Sequence, residues 1–365
     1  LFDYLKELHG FLESEIGELD VVVMPDFFLD RIISLNRDIK NFSRMLQEVV
    51  NRKGGSIDGI EQLELRGGNA VNTASALATL KVKVTPIVCT NTLGLRLIRF
   101  HLNSSKVDLS HVKIFDKASI TTAIELKNKK GKANVMLRDV GALADFGPQH
   151  LNDKDFEAIE NADYVCVFNW AGTTHFGTEL AKTVFRHAKT RGKGKTYYDT
   201  ADPTPNEEKI PKLIKNILQN KHVDILSVNQ NEAICYASQL NEEIEKPKKG
   251  LKLDLAKESA RILASRLSTR VDLHTTSFSA TFTRKDETIV PTFKVPVLRV
   301  TGAGDVWNAG NIIGDAYGLS DELRLALANA IAAYYISDPE GAHPTQEQLL
   351  KFCKKLNQQF PAGAC

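Results

Sequence analysis

From Asn69 onward, short apolar runs alternate with helical patterns, and this alternation restricts the fold more than any other feature of the chain. Strand patterns fall at 82–89, 164–168, 196–198, 223–228 and 271–275, separated by helical patterns at 93–102, 178–189, 207–218 and 255–267. Strands that alternate with helices predict a parallel sheet covered on both faces, an α/β fold. Segments 119–126 and 133–138 instead flank Lys129-Lys130-Gly131, the pattern of a hairpin with a charged turn. Upstream, residues 1–18 carry Leu5, Leu8, Leu12 and Ile16 at helical spacing and predict a helix ending near Gly17. A buried strand is expected at 19–24, closed by Pro25. A helix is expected at 38–52, stopped by Gly54-Gly55, and a strand at 57–66. Segment 241–252, rich in Glu, Lys and Pro, reads as a solvated loop.

Composition removes several classes of function. With 365 residues, 47 Lys+Arg and 45 Asp+Glu, the net charge is +2, so no global field recruits nucleic acid or an anionic membrane. No uninterrupted apolar run, Val21 to Met24 included, is long enough to span a bilayer. The five cysteines are scattered and form no C-x-x-C pair, which points away from a zinc knuckle or redox dithiol and toward a reducing cytoplasm. The chain opens on Leu1 rather than Met, so a start upstream is expected.

Four constellations carry chemical meaning. Thr301-Gly302-Ala303-Gly304-Asp305 follows a β-like run at 288–298 and opens a helical pattern. Glycines at a strand-to-helix turn leave N–H groups pointing one way, an anion cradle, and Asp305 beside it suits proton abstraction from an attacking hydroxyl. An ordinary Asp cap explains the same residues without a ligand. Arg66-Gly67-Gly68-Asn69-Ala70-Val71-Asn72 permits close backbone approach by a polar ligand, or merely a tight turn before a closely packed helix. Asp26 and Asp30 lie at the carboxyl end of the first strand, where ligands bind in open α/β sheets, although Asp26 also reads as a local cap. Asn229 and Glu232 share a helical face at a later strand end. They suit Mg²⁺ held through water, and N-capping by Asn229 is compatible with that role.

Taken together and in this order, the segments resemble the ribokinase/PfkB family of carbohydrate and nucleoside kinases, with similarity from about residue 19 to the C-terminus and a leaning toward its archaeal branches. Gly67 to Asn72 resembles the N-terminal signature of the family, Thr301 to Asp305 its C-terminal signature, and Asn229-x-x-Glu232 its magnesium motif. The resemblance implies a ribokinase-like three-layer α/β/α sandwich with a small β-sheet lid. The lid is expected at about 31–65 and 114–137 within a kinase domain at 19–365, with 1–18 as a helical extension. It implies phosphoryl transfer from ATP, or from ADP or another nucleotide, to a hydroxyl of a sugar or sugar phosphate. Asp305 is then the general base, and the amides of Gly302, Ala303 and Gly304 stabilise the transferring phosphate. Asp30, Gly67, Gly68, Asn72, Asn169 and Asp199 match acceptor contacts. Asn229, Thr275, Thr276, Ser277, Thr301, Gly302, Gly304, Gly341 and Ala342 match nucleotide contacts, and Glu232 and Asn229 match the Mg²⁺ site. A homodimer through the lids is expected, with no nucleic-acid or membrane partner. The alternatives are a nucleoside or cyclitol kinase, for which Phe27, Phe28 and Trp170 are base-stacking candidates, and a non-catalytic binding protein on the same scaffold. A phosphorylated acceptor needs an extra cation, for which Arg31, Arg66 and Arg138 are candidates.

Two departures stand out. Family members often carry Asp-Thr just before the second signature, where the Asp helps bind a monovalent cation. This chain reads Leu298-Arg299-Val300-Thr301, which predicts potassium-independent activity with the Arg299 guanidinium supplying the charge. The nucleotide loop His274-Thr275-Thr276-Ser277-Phe278-Ser279-Ala280 lacks its usual glycines, and His274 reads as a satisfied structural histidine. A dinucleotide-binding fold is disfavoured, since no G-x-G-x-x-G follows the first strand.

Overall fold

Val21 and Val23 belong to one buried apolar cluster, and Val22 and Met24 to another. Side chains alternate across a strand, so a strand buried on both faces must lie between two helical layers. The computed structural model, which describes residues 2–14, 18–128, 131–241, 244 and 253–359, has that arrangement. Its strands are β1 (Asp20–Met24), β2 (Phe28–Asp38), β3 (Glu61–Gly67), β4 (Lys83–Pro86), β5 (Cys89–Thr90), β6 (Lys113–Ile114), β7 (Ser119–Asn128), β8 (Gly131–Asp139), β9 (Tyr164–Phe168), β10 (Lys195–Asp199), β11 (Ile225–Asn229), β12 (Arg270–His274), β13 (Phe278–Phe282) and β14 (Glu287–Pro291). The central sheet runs β14-β13-β12-β11-β10-β9-β1-β4, parallel from β12 to β4, with β13 and β14 antiparallel at one edge.

The helices are α1 (Phe2–Glu13), α2 (Ile39–Asn51), α3 (Asn69–Thr79), α4 (Thr92–His101), α5 (Asp153–Asn161), α6 (Gly177–Arg191), α7 (Ile210–Leu213), α8 (Gln230–Leu240), α9 (Leu253–Arg266), α10 (Ala303–Ala316), α11 (Asp321–Ser337) and α12 (Gln346–Gln359). Buried side chains of α1, α3, α4, α10, α11 and α12 form the core on one face, and those of α5 to α9 the core on the other. In α3 the small residues Ala70, Ala74, Ser75 and Ala76 are buried, which lets the helix pack closely against α10. In α1, Leu5, Leu8 and Leu12 are buried against α11 and α12, and Gln346 Nε2 donates to the carbonyls of Leu12 (2.8 Å) and Ser14 (3.0 Å).

A second sheet of four strands, β3-β2-β7-β8, joins two excursions of the chain. β2 pairs antiparallel with β3 and parallel with β7, so residues near 31–65 and 114–137 share one sheet. Helix α2, capped by Asp38, which accepts from the Asn41 N–H at 2.9 Å, lies between β2 and β3 and buries none of its side chains.

Several local expectations are corrected. The 82–89 run splits into β4 and β5 at Ile87 and Val88, directly after Pro86, and the 288–298 run stops at Pro291, whose successors include the second breaker Pro296. The expected helix at 207–218 is a 3₁₀ segment, the short α7 and a π turn at Ile214–Leu218, where Pro211 removes a backbone donor. Gly17, the Lys129-Lys130 turn and most of the 241–252 loop lie outside the described residues. No helix among the described residues is long and apolar enough to cross a membrane.

Candidate active site

The carboxyl ends of β1, β9, β10, β11 and β12 meet the N-termini of α3, α8 and α10, and the expected residues gather there. Asp26 caps nothing beside Pro25. Its Oδ2 accepts from the Asn69 N–H (2.8 Å) and its Oδ1 from the Ala70 N–H (2.9 Å), so it caps α3 from across the fold. The Asn169 side chain donates to the same Asp26 Oδ2 at 2.8 Å and accepts from the Gly172 N–H at 2.9 Å, so Asn169 pins a loop as well as flanking the site. Gly68 has φ +93°, and a Cβ there would sit 2.9 Å from the Asp26 carbonyl oxygen. A Cβ on Gly67 would overlap the Asp30 carboxyl. The two glycines therefore let Asp30 and α3 close on one point. Asp30 Oδ1 is buried without a partner, an acceptor left open for a ligand. Burial lifts the Asp30 carboxyl to about 6, against a lowering bond from Thr121 and the charge of Arg138.

Asp305 stands in the first turn of α10, 6% exposed. Asn69 Nδ2 donates to its Oδ1 at 2.7 Å, Asn72 Nδ2 to its Oδ2 at 2.9 Å, and Thr73 Oγ1 to its backbone carbonyl at 3.1 Å. The expected acceptor contact Asn72 is thus engaged with Asp305 itself. Burial raises the Asp305 carboxyl to about 8, with the amide bonds opposing and the charges of Asp199 and Asp26 adding to the rise. A carboxylate that titrates near neutrality is suited to proton transfer. Gly302 caps α10 with φ +84°. The Ala303 N–H already donates to the Val300 carbonyl at 3.2 Å, which leaves the Gly302, Gly304 and Asp305 N–H groups as the open donors of the helix terminus.

One polar face of α10 holds it to the sheet. Asn308 accepts from Tyr197 Oη and Ser227 Oγ (2.7 Å each) and donates to Asp199 Oδ2 at 2.7 Å. Asn311 donates to Asp272 Oδ2 at 2.8 Å. Asp315 accepts from Lys195 Nζ at 2.8 Å and from Arg270 and Tyr164. Burial would raise the carboxyls of Asp272 and Asp315, but Arg270, joined by Arg324 at Asp272, holds both below their usual range.

On the far side of Asp305 a pocket of about 820 Å³ is lined by Asn229, Thr275, Thr276, Ala303, Gly304 and Trp307, with apolar walls from Val295, Val297, Val300, Ala332, Ala333 and Ile336. Ser277, Thr301, Gly302, Gly341 and Ala342 do not line it. The glycine-free turn is held by Thr275, whose hydroxyl donates to the Phe278 carbonyl (2.6 Å) and accepts from the Ser277 and Phe278 N–H groups. None of 275–277 takes a positive φ, so the loop does without glycine. His274 also lines the pocket and is not satisfied: its Nε2 is buried without a partner beside Gly304. Asn229 and Glu232 form a reciprocal capping box, Asn229 accepting from the Glu232 N–H (3.1 Å) and Glu232 from the Asn229 N–H (2.8 Å). Burial, and next the charge of Asp199, push the Glu232 carboxyl well up. Among the described residues no group of three or more His, Cys, Asp or Glu is arranged to hold a metal directly.

Arg299 donates to the carbonyls of Asp338 (3.2 Å) and Pro339 (2.6 Å) and fills the space beside Gly341. Of the candidate cations, Arg31 pairs with Glu64 and Arg66 turns to His343 (2.9 Å), while Arg138 lies over the Phe28 ring, 5.1 Å from its centroid. Phe27, Phe28 and Trp170 are buried, and Trp170 Nε1 donates to Thr178 (3.0 Å). The reading of sequence missed Asn69, Asp26 as a long-range cap, and the open nitrogen of His274. Only Asn69 had a local signal, its place directly after Gly67-Gly68 at a helix start.

The sequence pattern of the pfkB family carbohydrate kinases matches residues 42–348. Solved structures that share the fold include three kinases. An adenosine kinase from Sinorhizobium meliloti has a TM-score of 0.69 at 18% identity, over 93% of this chain and 99% of that one. A probable sugar kinase from Rhizobium etli CFN 42 has 0.70 at 17%, over 93% and 98%. A ribokinase from Cryptococcus neoformans var. grubii serotype A, in complex with ADP, has 0.67 at 16%, over 92% and 99%. No curated protein matches the chain.

Proposed function

We propose that this chain, which belongs to the pfkB family of carbohydrate kinases, transfers the γ-phosphoryl group of a nucleotide to a hydroxyl of a sugar or sugar phosphate, with Asp305 as general base. The observation that carries this reading is the junction at Asp305. The carboxylate is tied to the acceptor-side turn through Asn69 and Asn72 and is followed back along α10 by Gly304, which lines the neighbouring pocket. The acceptor hydroxyl, oriented by the open oxygen of Asp30, gives its proton to Asp305 as its oxygen bonds to the γ-phosphorus. The bond from that phosphorus to the bridging oxygen breaks, and the nucleotide leaves one phosphate shorter. The open N–H groups of Gly304 and Asp305 donate to the phosphoryl oxygens as charge spreads over them.

The nucleotide base fits the apolar half of the pocket, and its phosphates the half lined by Thr275, Thr276 and Gly304. ATP is the proposed donor, with ADP as the alternative the assay separates. Asp199, Asp202 and Glu232 form an acidic group that, among the described residues, has no ion-pair partner, and the oxygens of Glu232 already face Asn229. That donor set fits Mg²⁺ held through its waters by Asn229 and Glu232. When bound, the ion supplies charge neutralisation across the phosphates. The sheet β3-β2-β7-β8 is proposed as a lid, and its exposed Leu63, Ile120, Val135, Met136 and Leu137 support a second copy laid against it. Burial of Phe27, Phe28 and Trp170 favours a sugar over a nucleoside that stacks on them.

The test is a panel of sugars, sugar phosphates, nucleosides and inositol with Mg²⁺ and either ATP or ADP, read as phosphorylated product. Phosphorylation of a sugar or sugar phosphate supports the reading. Product from nucleosides or inositol alone moves the acceptor class, and no product with any pair overturns it.

A further inference from the structure

Asp305 is held by amides at both of its oxygens, and those amides come from one turn of one helix. Asn69 Nδ2 lies 2.7 Å from Oδ1 and Asn72 Nδ2 2.9 Å from Oδ2. The spacing of three places both side chains on one face of α3. The helix terminus does not depend on either side chain, because the Asn69 and Ala70 N–H groups are capped by Asp26. The two amides therefore have Asp305 as their partner, and no part of their bonding is needed to start the helix.

We propose that Asn69 and Asn72 are positioning residues, a two-armed amide clamp that fixes the plane of the Asp305 carboxylate and favours its ionised form over its protonated form. This assignment rests on Asp305 being the base. An amide N–H donates equally well in direction to either state, but a carboxylate accepts it more strongly than a carboxyl does. Each oxygen keeps a second lone pair for the substrate proton. The clamp also connects the two halves of the site, since Asn69 directly follows the Gly67-Gly68 turn that receives Asp30.

The neighbours make such a device necessary. Asp199 from β10 and Asp26 ahead of β2 both press the Asp305 carboxyl toward protonation, and burial does so more strongly than either. Glu232 of α8 and Tyr335 of α11 are also within electrostatic reach. Burial without a compensating donor keeps a carboxyl protonated and useless as a base near neutral pH.

The experiment compares kcat against pH for the unmodified protein, Asn69→Ala, Asn69→Gln and Asn72→Ala. It is paired with a carboxyl-carbon NMR titration of Asp305, assigned by its loss in Asp305→Asn. Removing an amide should move the acidic limb upward by about one pH unit, so that the rate at pH 7 falls roughly tenfold and recovers at high pH. The NMR midpoint should move with it, and Asn69→Gln should restore part of the shift. A rate lowered equally at every pH, or an NMR midpoint unchanged in both alanine variants, overturns the clamp while leaving the base in place. Full activity in Asp305→Asn overturns the base reading itself, and the clamp with it.

Discussion

Helix α10 carries a buried aspartate in its first turn and a half-buried one in its last, and the two have opposite chemistry. Asp305, in the first turn, is met by the amides of Asn69 and Asn72 and sits at about 8. Asp315, in the last turn, is met by Arg270, Lys195 and Tyr164 and is held far below the usual carboxylate range. Burial raises both, so burial is not what separates them. The partner decides: neutral amides leave a carboxyl able to exchange a proton near neutral pH, whereas guanidinium and ammonium groups lock it as an anion. The far end of the helix, with Asn308 and Asn311 between, fixes the position of the Asp305 end on the sheet.

The largest test of this contrast is Asp305→Asn. Turnover should fall by at least ~10²-fold, while the melting temperature at pH 8 holds or rises, because the variant no longer ionises a buried group. Kinetics and thermal melts on the same preparation check both halves, and a drop in both would erase the distinction. Next is Asp315→Asn, expected to cost about 2–4 kcal/mol of stability in urea unfolding, since Arg270 then loses one of its two carboxylates. Its kcat below the transition should stay within a few-fold of the unmodified protein.

A smaller effect follows from pH. The folded Asp305 holds a proton that the unfolded chain loses near pH 4, so its contribution makes stability decline between about pH 4 and 8. Asp272 and Asp315 work the other way: their contribution is present above pH 4 and lost on acidification. Melts across pH should therefore flatten at the neutral side in Asp305→Asn and at the acid side in Asp315→Asn; the same curve in both variants would break the comparison. Smallest of all is the effect of K⁺. Arg299 already donates to the Asp338 and Pro339 carbonyls, so replacing choline with K⁺ should change the rate less than twofold. A large activation would remove Arg299 from the role of built-in cation.

What could be read from the chain divides along the same line. The Gly67-Gly68 turn, the cradle before Asp305 and the Asn229 to Glu232 spacing are local patterns, since turns and caps are set by residues a few positions apart. Strand–helix alternation was legible for the same reason. The ladder under α10 was not, because Tyr197, Ser227, Asp272 and Arg324 come from four other elements and no period in the sequence joins them. Asp26 was misread for a similar reason: its partners Asn69 and Ala70 lie on the far side of β2, α2 and β3. The end of β14 at Pro291 and the broken 207–218 segment show proline overriding an apolar pattern.

The position of β1 has a consequence for how the protein is made. It is the first strand in the chain, yet Val21 pairs with Val84 on one side and Tyr164 on the other. At a synthesis rate of about 5–20 residues per second, roughly 7–30 s pass between the emergence of β1 and that of β9. During that interval the run Val21 to Met24 has at most one of its two edges paired. Completion of β9 is then the point at which β1 gains its second neighbour, before β10 to β14 and α10 have been translated.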